Sequence, residues 1–302
     1  MTGSIDHPAV RRDVPLAAHT TYKVGGLAAF WAEPATIADL AGVLDAVPSD
    51  LPVLVLGRGS NLVFSDAGFD GLVIRPTGEF LGVSVGDDGE VVAGGAAPLP
   101  KVARTAAAAG RAGLEFYVGI PGSVGGAIRM NAGGHGSDTA TVLLTATVLD
   151  LVTRQTDDLT PAALEFGYRR SGLTDRHMVL RASFRTEPGD PAVLDGRLRD
   201  IIRWRKEHQP GGTLNAGSVF KNPPGASAGE IIDRLGLKGY RRGDVAVSEM
   251  HANFFVAGPG ATGHDIWELV RAVRAKVKEA TGIDLEPEIR FVGQFGDTEV
   301  HP

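Results

Sequence analysis

The chain has 302 residues, more than a single hydrophobic core usually organises, so two or three lobes are expected rather than one. Its 43% hydrophobic and 22% charged content is that of an ordinary globular protein, and a formal charge of −6 with no basic cluster argues against a nucleic-acid partner. The absence of cysteine excludes disulfides, thiolate metal sites, Cys-ligated iron–sulfur clusters and a cysteine nucleophile.

The N-terminal MTGSIDHPAVRRDVPLAAH lacks an apolar core of signal-peptide length, and no later run is long enough to span a bilayer. A soluble cytoplasmic protein is expected. In 34–47 the residues Ile37, Leu40, Val43, Leu44 and Val47 fall on one helical face, and LPVLVLG (51–57) follows as a short strand closed by glycine. The stretch 98–113 reads as a helix closed by Gly113, 139–153 as β-rich, and 177–186 as a strand. A boundary helix is expected at 191–209, with Val193, Leu194, Leu198, Ile201 and Ile202 as its apolar stripe and basic residues at its end. Beyond it come a helix at 227–236, strands in DVAVSEM and HANFFVA, a helix at 263–282 and a strand at 283–293.

Forty-one glycines are about twice the usual share of roughly 7%, and they concentrate in loops. LVLGRGSNLVF (54–64) runs a strand into glycines whose backbone N–H groups can converge on an anion, although such a stretch also suits a plain turn. YVGIPGSVGGAIRMNAGGHG (117–136) holds seven glycines in twenty residues, which suits backbone packed against a planar or phosphorylated ligand. GPGATG (258–263) fits the G-x-G-x-x-G fingerprint, yet only nine residues follow Gly293, too few to complete a dinucleotide fold there. A loop and helix cap is the preferred reading of that match.

With these segments placed, the chain resembles the UDP-N-acetylenolpyruvoylglucosamine reductase (UDP-N-acetylmuramate dehydrogenase) family over nearly its full length. The resemblance is carried by TTYKVGG (20–26), LGRGSNLVFSDAGFDGLVI (56–74), GLEFYVGIPGSVGGAIRMNAG (113–133), FGYRRS (166–171), NAGSVFKNP (215–223), GLKGYRRGDVAVSEMHANFFV (236–256) and LEPEIRF (285–291). It implies an α+β protein: a two-lobed FAD-binding fold of the vanillyl-alcohol-oxidase type, as lobes 1–75 and 76–195, plus a C-terminal α/β substrate-binding domain, 196–302. FAD would be bound non-covalently and NADPH would be co-substrate. Gly57, Gly59, Ser60 and Asn61 would hold the FAD pyrophosphate; Ile120, Pro121, Gly122, Gly125 and Gly126 would line the flavin, with Gly25 and Gly26 nearby. No metal is implied. The partners would be small molecules, with no nucleic acid or membrane, and the protein is expected to be a monomer.

The family's substrate is an enol ether bearing a carboxylate, and hydride addition to its terminal carbon leaves negative charge beside that carboxylate. Such chemistry needs fixed positive charge or donors for the enolate and a positioned acid for the adjacent carbon. Arginine suits the first task, because its planar fork matches a carboxylate and stays charged. Carried over by motif, Arg169 and Glu288 would stabilise the enolate and Ser218 would give the proton. Glu288 would then act in its protonated form, which burial beside other acidic groups favours. Lys206, Lys221 and Asn222 would face the diphosphate, with His251 and Asn253 as further substrate contacts. Only 49 positions separate Arg169 from Ser218, with no tyrosine between them, as in the family's short form. Taken alone, these residues read blandly: Ser218 as a turn or cap residue, Arg169 as a surface ion pair, Glu288 as a solvent-facing strand position. An oxidase of small alcohols or sugars on the same fold, and a nucleotide sensor without turnover, are the competing readings.

Overall fold

The computed structural model describes residues 5–296. The chain gathers into two compact units: one takes residues up to Arg12, 30–58 and 71–205, and the other takes 13–29, 59–70 and the chain from Lys206 on. These borders differ from the lobe borders expected at 75/76 and 195/196, which followed chain order. The physical reason is core membership: Tyr22, Val24 and Val63 are buried in the same cluster as Val219, Phe220 and Phe255 of the C-terminal part. The last border, at 205/206, falls inside the helix Pro191–His208, the one expected to mark a boundary.

The first unit is built on a five-stranded antiparallel sheet in the order Thr156–Leu159, Leu143–Asp150, His177–Phe184, Val91–Gly94, Val83–Val85. The helix Leu99–Ala108 buries Leu99, Val102, Ala103, Ala106 and Ala107, the spacing of one helical face. It ends at Ala108, where Gly110 takes φ +68°. The expected closing residue, Gly113, instead follows the short strand Arg111–Ala112. In the β-rich stretch 139–153 the first turn is helical, Thr139–Val142, because the Asp138 carboxylate caps it by accepting from the Thr141 N–H. The long helix Pro191–His208 buries only Leu194 and Leu198, while Val193 and Ile202 are exposed.

In the second unit the helix Gly263–Thr281 turns Ile266, Leu269, Val270, Val273 and Val277 inward. Thr262 and Asp265 form a capping box at its start, and Gly282 closes it in a left-handed conformation. Against it lie the helix Ala228–Arg234 and the antiparallel strands Arg241–Arg242, Val245–Val247 and Phe255–Ala257. The expected strand at 283–293 is regular only at Arg290–Val292, which pairs in parallel with Leu62–Phe64. Pro287 has no N–H to give a ladder, so the preceding residues pair through an isolated bridge, Phe220↔Pro287. No helix among the described residues is long and apolar enough to cross a membrane.

Candidate active site

Gly57 and the loop 119–126 lie in the first unit. A Cβ on Gly57 would stand 2.3 Å from Ser123 Oγ, so this approach admits only glycine. Ser123 starts the helix Val124–Met130, and the preceding backbone is tied down by bonds from Leu99 N to Gly122 O and from Gly125 N to Gly95 O. Ile120, Gly122 and Gly125 are half-buried, and Pro121 and Gly126 are exposed. Three of the five expected flavin residues, Gly122, Gly125 and Gly126, carry no side chain.

Gly59, Ser60 and Asn61 belong to the second unit. Gly59 (φ +61°) backs onto the turn 19–21, where its carbonyl accepts from Thr21 N and an added Cβ would meet His19 O at 2.1 Å. Gly25 and Gly26 are pressed in the same way onto Phe64 and Asp66. Across 57–61 no backbone N–H is donated to another described residue, leaving a run of consecutive donors beside the Ser60 hydroxyl. Such a donor set, free of carboxylates, fits a pyrophosphate.

Arg169 sits in the first unit with φ +54°, a strained backbone for a side chain of its size. Its guanidinium donates from Nη2 to Gly133 O at 2.9 Å and from Nη1 to Asn131 O at 3.5 Å, and it lies 5.3 Å from the centre of the Tyr168 ring. These acceptors are neutral, so the positive charge is oriented without being cancelled by them.

Ser218 and Glu288 are brought together in the second unit, although 70 residues separate them in sequence. The segment 218–221 lies between two others: Ser218 pairs with Phe254 on one side, while Glu288 N donates to Val219 O at 2.7 Å and Lys221 N to Glu286 O at 2.9 Å on the other. The layer continues through Asn61, whose Nδ2 donates to Glu288 O at 2.9 Å and whose carbonyl accepts from Arg290 N. Asn61, expected at the cofactor, therefore also fixes the backbone of Glu288. Gly217 precedes the serine at φ +77° with nothing within 4 Å of an added Cβ. Its glycine is required by conformation rather than by close approach.

The expected substrate residues are placed unevenly. Lys221 is mostly buried and its Nζ lies 2.6 Å from Glu286 Oε1, so its charge already has one partner. Asn222 Oδ1 accepts from Ala228 N, capping the helix Ala228–Arg234. Asn253 is 3% exposed and spends its amide on the main chain of one residue, accepting from Phe220 N at 2.9 Å and donating to Phe220 O at 2.8 Å. His251 accepts from Asn253 N, packs on Gly229 and meets the Phe254 ring at a tilt of 58°, and burial holds its imidazole below its usual pKa. Lys206 is exposed near the end of Pro191–His208. The fingerprint at 258–263 is a helix start whose N–H groups are taken: Gly263 N and His264 N donate to the Asp66 carboxylate at 2.8 and 3.0 Å. A side-chain carboxylate stands where a dinucleotide phosphate would sit.

The chain matches two family models and several known proteins. Residues 28–154 match the FAD binding domain, and residues 209–292 match the UDP-N-acetylenolpyruvoylglucosamine reductase C-terminal domain. The chain is 43% identical to the UDP-N-acetylenolpyruvoylglucosamine reductase of Paramagnetospirillum magneticum, over 93% of this chain and 91% of the relative. Identity to that of Rubrobacter xylanophilus is also 43%, over 95% and 96%. The crystal structure of UDP-N-acetylenolpyruvylglucosamine reductase from Thermus caldophilus superposes with a TM-score of 0.82 at 37% identity, covering 94% of this chain and 100% of the other.

Proposed function

Because the chain belongs to the UDP-N-acetylenolpyruvoylglucosamine reductase family, we propose that it reduces the enolpyruvyl group of UDP-N-acetylglucosamine enolpyruvate to give UDP-N-acetylmuramate, a peptidoglycan precursor. The observation that supports the reading is the backbone pairing that brings the segment 218–221 against 286–288, with Glu288 N donating to Val219 O. Bound FAD supplies the hydride relay from NADPH to the terminal carbon of the enol ether.

The chain's own residues supply the rest. Ser218 gives its hydroxyl proton to the carbon beside the carboxylate and is reprotonated from solvent. Arg169 and Glu288 meet the charge that develops on the carboxylate side, an effect of about 3–4 kcal/mol for a well-placed donor. Gly57, Gly59, Ser60 and Asn61 would hold the pyrophosphate of FAD and Ile120, Pro121, Gly122, Gly125 and Gly126 would line its ring system, with Gly25, packed on Phe64, and Gly26, packed on Asp66, nearby. Lys206, Lys221 and Asn222 serve the UDP diphosphate, with Lys221 shared between it and Glu286. His251 and Asn253 serve the same substrate by holding the Ser218 segment in register.

The test is direct. The purified protein should be yellow, and its NADPH oxidation should depend on added UDP-N-acetylglucosamine enolpyruvate. A colourless protein sinks every flavin reading, and NADPH consumption indifferent to the enol ether sinks the reductase reading.

A further inference from the structure

We infer that Asn131, locked by Asp138, is a positioning residue for Arg169. Asn131 is 5% exposed and ends the helix Val124–Met130 in a left-handed conformation, φ +40°. Its side chain reaches in three directions: Nδ2 donates to Asp138 Oδ2 at 3.2 Å and to Gly167 O at 3.1 Å, and Oδ1 accepts from Ala140 N at 2.9 Å. Its main-chain carbonyl accepts from Arg169 Nη1. One residue therefore grips the arginine turn twice, by its peptide at Gly167 and by the guanidinium itself.

A helix C-cap needs only the left-handed backbone, which glycine gives more readily than asparagine. The three side-chain bonds go beyond that need, and one of them ends two residues before Arg169. Asp138 is committed to its role as well: Oδ1 accepts from the N–H and hydroxyl of Thr141, which leaves Oδ2 aimed at Asn131. Arg169 needs such support because its φ of +54° persists only where the surroundings over-determine it. With two donors on the carbonyls of Asn131 and Gly133, the guanidinium is held in a fixed plane.

The inference rests on the catalytic reading of Arg169, and the experiment separates the two. Asn131→Gly keeps the left-handed cap and deletes only the side-chain bonds. In stopped-flow measurements on the holoenzyme, flavin reduction by NADPH should stay within about twofold of wild type. Reoxidation by the enol ether should slow about ten- to a hundredfold, the scale of a misplaced catalytic group. In an Arg169→Ala background the same Asn131→Gly change should alter reoxidation by less than about threefold, because the two act through one group. Asp138→Asn, a milder change, should slow reoxidation alone by a few-fold, and it carries the test if Asn131→Gly fails to retain flavin. Parallel loss in both half-reactions, multiplying effects in the double variant, or unchanged reoxidation would each overturn the positioning role. If Arg169→Ala by itself leaves reoxidation intact, the catalytic reading of the arginine falls, and the positioning role with it.

Discussion

Ser218 has no distinguishing neighbour in NAGSVFKNP; its place comes from the two backbone segments that flank it. If it is the proton donor, Ser218→Ala leaves flavin reduction by NADPH near wild type and slows enolpyruvyl reduction by about 10²–10⁴-fold, the usual worth of a positioned acid. Stopped-flow absorbance separates the two steps, and equal slowing of both rules out the role. His251, three residues before Phe254, gives a prediction in pH instead. Burial lowers its pKa below the ordinary histidine value of about 6.5, so the fold favours neutral imidazole. The unfolded chain takes up the proton first as pH falls, and the stabilisation is therefore full above about 6.5 and lost as pH drops through the lower folded value. Urea unfolding between pH 7.5 and 5 should show a shallower loss in His251→Gln than in wild type. His135, whose pKa is also lowered by burial and by Arg205, keeps part of the slope in that variant.

At the scale of elements, the helix Gly263–Thr281 owes its start to two carboxylates, Asp265 in the local capping box and Asp66 from a distant loop. Asp66→Ala leaves two N–H groups without their acceptor and should destabilise by about 1–2 kcal/mol, read as a fall in unfolding midpoint without loss of flavin. Local signals predict such elements well: the expected helix at 263–282 is found at Gly263–Thr281, and that at 227–236 at Ala228–Arg234. They work because a 3.6-residue stripe, a cap and a closing glycine all lie within the segment. The strand expected at 283–293 shrinks to Arg290–Val292, since whether an extended stretch forms a ladder depends on a partner elsewhere and on Pro287. The site divides in the same way. Glycine in 57–59 announced close backbone approach, seen where Gly57 meets Ser123 and Gly59 meets His19, while the pairing of 218–221 with 286–288 left no local trace. The three bonds of Asn131 were equally hidden, because an asparagine before Ala-Gly-Gly looks like a loop residue until its partners are known.

For the molecule as a whole, core membership matters more than chain order. The second unit buries Tyr22, Val24 and Val63 with residues from the C-terminal third, and the strand Arg290–Val292 has its ladder on Leu62–Phe64. A fragment beginning at Lys206 therefore lacks three core side chains and a strand partner. It should show no cooperative urea transition by circular dichroism, whereas the full chain should. A sharp transition in the fragment would mean that its core closes without them. The interleaving also bears on heredity. Because the units are assembled from six chain segments joined at five points, a single crossover between the genes of two relatives cannot exchange one unit cleanly. Recombinants with a breakpoint at 205/206 would inherit Tyr22, Val24 and Val63 from one parent and the residues around them from the other. Exchange should succeed only when residues 13–29 and 59–70 travel with the C-terminal part, which makes the two halves of this enzyme inherit together.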